Sequence, residues 1–310
     1  MGRAKKIKDA RKNIKTGQEV PVDFSRRNFF KLGAAGIAGF AFFNAPYGEQ
    51  RLAEKPIVKN VSEIPLSDRE RYLNEIVQEA ISDNPVFRKG FSGLFYLGSE
   101  SAKEAFLFNR LSGDYGRPAF NLENNVAART FPVFRSDSGQ YRVISHQEIY
   151  EEGFRRDSII VAFPNLFAHE AEGRRGIKSI LTHELEHTRQ YSEGTVRVGD
   201  YIINLRNIPM TQNPENRKDL VLALQEIGAH SYTLKNNGGF LRFIDLDRVI
   251  KYFGDLEELK KRYEKDGEYL VVRTNLKGYL NDLKPFRDRI EKEKDGMEQA
   301  YEKLGMKLSQ

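Results

Sequence analysis

Residues able to do chemistry concentrate in one pentapeptide, His183-Glu184-Leu185-Glu186-His187. On an α-helix, side chains four positions apart share a face, about 40° apart around the axis. Two imidazoles so placed can grip one metal ion, and three protein ligands plus a water make an open catalytic zinc site. The carboxylate of Glu184 can hold that water and take its proton. This spacing points to metal-assisted hydrolysis at a polarised carbonyl, with one Zn2+ as the cofactor. The chain has no Cys, which excludes a cysteine nucleophile, and no G-x-S-x-G turn offers a serine one.

The residues around the pentapeptide predict the helix it needs. Ile177 to about Tyr191 contains no Pro or Gly, and Ile177, Ile180, Leu181, Leu185 and the methyl of Thr188 recur at helical spacing. His183 and His187 fall at one border of that apolar stripe. Lys178, Thr182, Glu186 and Arg189 are expected to face away, with Glu186 solvated or supporting a ligand. A third ligand is offered 39 residues beyond His187 by Glu226. It sits on a second predicted helix, entered at Asn213-Pro214 and left at Asn236-Asn237-Gly238-Gly239. Gly228 and Ala229 beside it are small enough to let another helix approach. His230 follows one turn later.

A helix bearing H-E-x-x-H followed by a second helix supplying a Glu resembles the gluzincin branch of the zincin metallopeptidases. The resemblance covers residues 176–230. It implies His183, His187 and Glu226 as metal ligands, Glu184 as general base, and a peptide or protein substrate. Many gluzincins carry an Asp four residues after the ligand Glu, where it orients a ligand His. This chain has His230 there, which can take that supporting role, stabilise an oxyanion, or replace Glu226 as the ligand. The metzincin variant is excluded, because Thr188-Arg189-Gln190-Tyr191-Ser192-Glu193-Gly194 offers no third His. The implied fold is α+β and zincin-like, a small mixed or antiparallel sheet preceding the active helix, with a mainly helical C-terminal region.

The rest of the chain supplies elements for that fold. Ser67-Asp68-Arg69-Glu70 reads as a capping box opening a helix to about Ser82. Gly93–Gly98 suits a strand and Glu100–Leu111 a helix. Val126–Phe134, Gln140–Ser145 and Asp157–Phe163 read as strands, the second after the turn Ser136-Asp137-Ser138-Gly139. Residues 245–310 read as amphipathic helices separated by Gly254, Gly267 and Pro285. Tyr191, Tyr201 and Tyr232 are each able to donate to an oxyanion or simply to pack. His169 is expected on the rim of the site, more readily solvated than catalytic, and His146 at a strand end.

The N-terminus carries an address. Ser25-Arg26-Arg27-Asn28-Phe29-Phe30-Lys31 resembles the twin-arginine export motif, and the apolar run Leu32–Phe43 has the length of a signal core rather than a membrane span. Residues 1–45 hold 10 Lys/Arg and 3 Asp/Glu, so the whole-chain charge of +6 belongs to this leader. A nucleic-acid partner is therefore not expected. The division expected is 1–45 leader, 46–66 linker, 67–240 catalytic domain and 241–310 a helical region packed on it. Partners implied are the twin-arginine translocation machinery and a peptide or protein substrate, at a periplasmic or extracellular destination. Cleavage of the leader and its retention as an N-terminal membrane anchor are both open at this point. The competing function is a non-enzymatic exported envelope-binding or scaffold protein with a vestigial or structural metal site.

Overall fold

In the computed structural model, the described residues are 64–110, 126–137, 139–144, 156–167, 173–208, 214–265, 267 and 270–305, all within the compact unit Lys55–Gln310. The leader, most of the predicted linker, His146 and His169 lie outside them. Among the described residues no helix is long and apolar enough to cross a membrane.

The chain is a mixed α+β protein, mostly helical. Helix α1 (Leu66–Asp83) buries Leu73, Ile76, Val77, Ala80 and Ile81, a stripe at three- and four-residue spacing. Strand β1 is Phe91–Tyr96 and helix α2 is Glu100–Asn109, capped by Ser99, whose Oγ accepts from the Ala102 amide at 3.2 Å. Strands β2 (Ala128–Arg135), β3 (Tyr141–Val143) and β4 (Asp157–Ala162) complete a sheet ordered β1-β4-β2-β3. β1 runs parallel to β4, and the other pairs are antiparallel. The unbroken apolar run Ile159-Ile160-Val161-Ala162 has the centre of the sheet because both its faces are fully buried. One face packs through Leu94, Ala128 and Ile160 on α1 and on helix α3 (Gly173–Glu193). The other packs Phe131, Val133, Ile159 and Val161 against Phe106 of α2.

After α3 come the hairpin β5–β6 (Thr195–Val198 and Tyr201–Asn204) and helices α4 (Pro214–Leu234), α5 (Gly239–Lys265) and α6 (Leu270–Lys303). A single apolar core joins them, from Val196 and Val198 through Leu224 and Ile227 to Phe253, Leu283 and Phe286. The hairpin was not among the sequence expectations.

Three local expectations are corrected. The capping box does not form: α1 starts at Leu66 with no side-chain cap, and the Glu70 carboxylate accepts instead from the Tyr96 amide of β1 at 3.0 Å. Gly254 and Pro285 do not separate helices, since α5 and α6 run through them. An interior Gly costs about 1 kcal/mol and an interior Pro about 3. Burial of Phe253 and Leu256 around the first, and of Leu283, Phe286 and Ile290 around the second, outweighs those costs. Only the break at Gly267, with φ +67°, is realised.

The third correction concerns α3. Most of the face expected to be solvated is buried: Thr182, Glu186 and Arg189 are 9 %, 1 % and 1 % exposed, while Lys178 stays part-exposed beside Glu79 and Asp83. The helix is enclosed by α1, the sheet, β5 and α4. Charge survives there only by pairing. The Arg189 guanidinium donates to both Glu186 oxygens, at 2.9 Å from Nε and 2.6 Å from Nη2, and also to Glu193 and Thr195. Removing one member of such a pair strands a buried charge and costs about 3–5 kcal/mol. Arg189→Met should therefore lower unfolding free energy by about that much, and adding Glu186→Leu should restore most of it. Denaturant titration of the single and double variants checks this; a strictly additive double variant would contradict the pairing.

Candidate metal centre

The centre is built across the contact between α3 and α4. His183 and His187 project from α3 and Glu226 from α4, and one ligand atom from each lies within 4.8 Å of the other two. The separations are 3.1 Å between the two Nε2 atoms, 3.3 Å from His183 Nε2 to Glu226 Oε2, and 3.6 Å from His187 Nε2 to Glu226 Oε1. Tetrahedral zinc with bonds of about 2.0–2.1 Å needs ligand atoms about 3.3–3.4 Å apart. The observed triangle fits that requirement. Side-chain exposures of 14 %, 11 % and 27 % leave the group partly accessible rather than sealed.

Close approach of α4 depends on Gly228. A Cβ there would stand 2.5 Å from Val196 Cγ1 of β5 and 3.1 Å from Gln190 Nε2 of α3. The small residue expected to admit a helix thus admits a strand and a helix together.

The ligands are held unequally. His187 Nδ1 lies 3.0 Å from Gln190 Oε1, and Gln190 Nε2 donates to the Gln225 carbonyl at 3.0 Å. His183 Nδ1 is buried with no hydrogen-bond partner among the described residues. Glu184, 8 % exposed, stands outside the triad. Its Oε2 accepts from the Thr130 hydroxyl of β2 at 2.8 Å, and that hydroxyl also lies 2.8 Å from the Glu184 carbonyl.

His230 joins the periphery. Its ring centroid is 4.4 Å from that of His183, and its Nε2 is 3.8 Å from Glu226 Oε2. Its Nδ1 lies 2.8 Å from Asp245 of α5, whose other oxygen accepts from Asn237 at 2.7 Å. Tyr252 of α5 stacks on it at 6.1 Å. Of the three tyrosines weighed from sequence, Tyr191 is buried and within the field of Glu226. Tyr232 is engaged elsewhere, accepting from Asn84 at 2.7 Å and packing edge-on against Phe87. Tyr201 is on the hairpin surface. Sequence reasoning missed Thr130, Gln190, Asp245 and Tyr252. Only Gln190 carried a signal, its position one helical turn after His187.

Electrostatics follow from the packing. Burial raises the Glu226 carboxyl, but the adjacent imidazoles outweigh it and hold the group well below the usual range. Burial likewise opposes charge on His187, yet Glu226, Glu184 and the Gln190 bond push it up to about 9. His230 is held below its ordinary value by burial and by His183, against the pull of Asp245. Burial and Glu226 raise the phenols of Tyr191 and Tyr252, the latter to about 12.

No protein-family model, curated protein or solved structure matches this chain. The site therefore stands on its geometry.

The metal-free chain makes one pH prediction. A His with a raised folded-state pKa stabilises the fold fully below its unfolded value, about 6.5, and that contribution disappears as pH rises through the folded value. Chelator-treated protein should thus lose thermal stability between pH 6.5 and about 9, the window set by His187. Melting curves at stepped pH read this directly, and His187→Gln should flatten the slope.

Proposed function

We propose that this chain is an exported zinc-dependent hydrolase of the zincin type, most simply a peptidase. The observation that carries this reading is the convergence of His183, His187 and Glu226 at tetrahedral spacing. The donor set, two imidazoles and one carboxylate, is the set expected of an open zinc site with one position left for water. When bound, zinc supplies Lewis acidity towards a water and a carbonyl oxygen.

The protein's own residues do the rest. Glu184 is not needed in the triad, and Thr130 anchors one of its oxygens, leaving the other to take a proton from the attacking water and return it to the leaving amine. His230, its Nδ1 engaged by Asp245, turns Nε2 towards the Glu226 side of the triad. This supports a role beside the metal rather than in place of Glu226. A peptide substrate is favoured by the sheet. β3 pairs only with Val133–Arg135, so among the described residues the first half of β2 has β4 as its sole strand neighbour. An extended chain can add along such an edge. The twin-arginine motif supports export of a folded, metal-loaded protein to a periplasmic or extracellular site.

Glu184→Gln keeps the Thr130 hydrogen bond while removing the base. It should bind zinc and melt like the parent, yet lose hydrolysis of a generic peptide substrate by about 10²–10⁴-fold or more. Parental activity in that variant would sink the mechanism; a parent chain that holds no zinc under zinc-replete conditions yet keeps full thermal stability would favour the scaffold reading. In metal analysis after zinc loading, Glu226→Ala should lose the ion and His230→Ala should retain it. The reverse pattern would make His230 the ligand.

A further inference from the structure

We infer that Gln190 is the residue that positions His187 for metal binding, by fixing its tautomer and tying it to the backbone of the helix that carries Glu226. This rests on the reading of the triad as a metal centre. Gln190 is fully buried, so its amide must satisfy both ends within the protein. One end faces the carbonyl of Gln225, which only accepts, so that end is the NH2 group. The other end, Oε1, therefore faces His187 Nδ1 at 3.0 Å. An amide oxygen only accepts, so Nδ1 carries a hydrogen, and in the neutral ring that a metal requires it is Nε2 that is left with the lone pair. Nε2 is the atom that faces His183 and Glu226.

Two further observations point the same way. Gln225 immediately precedes Glu226, so one amide connects a ligand on α3 to the backbone beside the ligand on α4. Gly228 leaves the room that Gln190 Nε2 occupies, since a Cβ there would stand 3.1 Å from it. The other imidazole has no comparable support, because His183 Nδ1 has no partner among the described residues. Orientation of the pair therefore falls to Gln190. Partners that orient a ligand His in this way typically account for about 10–100-fold in metal affinity.

The experiment is a zinc titration of the full chain in competition with a chromophoric chelator, with thermal melts of the metal-free proteins alongside. Gln190→Met keeps volume and removes both hydrogen bonds. Gln190→Glu keeps an acceptor for His187 Nδ1 but loses the donor to Gln225. Both variants should lower the metal-free melting temperature, because both lose the bond from residue 190 to the Gln225 carbonyl that ties α3 to α4. Zinc affinity should divide them: Gln190→Met weaker by about 10–100-fold, Gln190→Glu close to the parent. Cobalt absorption should show an intact tetrahedral signature in Gln190→Glu and a distorted one in Gln190→Met. Equal weakening in both variants, tracking their melting temperatures, would reduce Gln190 to a structural bridge and overturn the proposal. Parental affinity in Gln190→Met would overturn it too, while leaving the metal centre standing. A parent chain that binds no zinc would bring down both.

Discussion

Helix α4 can reach α3 only because it offers no side chain at Gly228, where Val196 and Gln190 fill the space a Cβ would need. Two imidazoles on one helix define a direction but not a site. The carboxylate that closes the triangle comes from another helix, and its distance is set by backbone approach rather than by side-chain reach. Any residue larger than glycine would push α4 away from β5 and Gln190 together. Glu226 and Gln225, two and three residues earlier, would move with it. The hairpin β5–β6 is thus part of the centre's frame although it contributes no residue to the triad.

Burial adds the second constraint. α3 is enclosed on nearly every side, so each polar group it carries needs a partner. The helix meets this in two separate ways. Towards its C-terminal end, Arg189 bridges Glu186 and Glu193, and Arg197 adds a second cation 3.7 Å from Glu193. At its middle, His183 and His187 face Glu226 across the contact with α4. Separating the two sets matters, because a permanent cation such as Arg189 close to the triad would compete with a metal for Glu226.

How much of this was legible in the sequence depends on which physical signal each feature leaves. The pentapeptide, the second helix and Glu226 at its centre were readable from helical periodicity and residue type. The four-stranded sheet was readable strand by strand, with β4 marked by its unbroken apolar run. Thr130 and Asp245 left no signal, because tertiary packing alone brings β2 and α5 to the centre. The buried polar face of α3 was misread because Thr182, Glu186 and Arg189 look like a solvated face when the partners that enclose them are unknown. The capping box failed because Glu70 has a stronger claim in the Tyr96 amide of β1, a contact 26 residues away. Gly254 and Pro285 failed as breakers because local propensity costs a few kcal/mol, and several buried side chains on each helix outweigh it.

The departure from the gluzincin pattern at His230 has a structural reading. In the resembled arrangement a carboxylate four residues after the ligand Glu reaches a ligand imidazole. Here an imidazole occupies that position, packs 4.4 Å from His183, and takes its own carboxylate from Asp245 on the next helix. Asn237 then links Asp245 to Ser179 of α3, at 2.7 and 2.6 Å, closing a ring of contacts through α3, α4 and α5. An Asp at position 230 would bring a second negative charge beside Glu226. His230 brings a largely neutral ring instead, which keeps the triad's net charge low and leaves a polar nitrogen at its edge. His183 Nδ1 has no partner among the described residues, so on the proposed reading the burden of orienting the ligand pair falls on the other imidazole and the buried amide beside it.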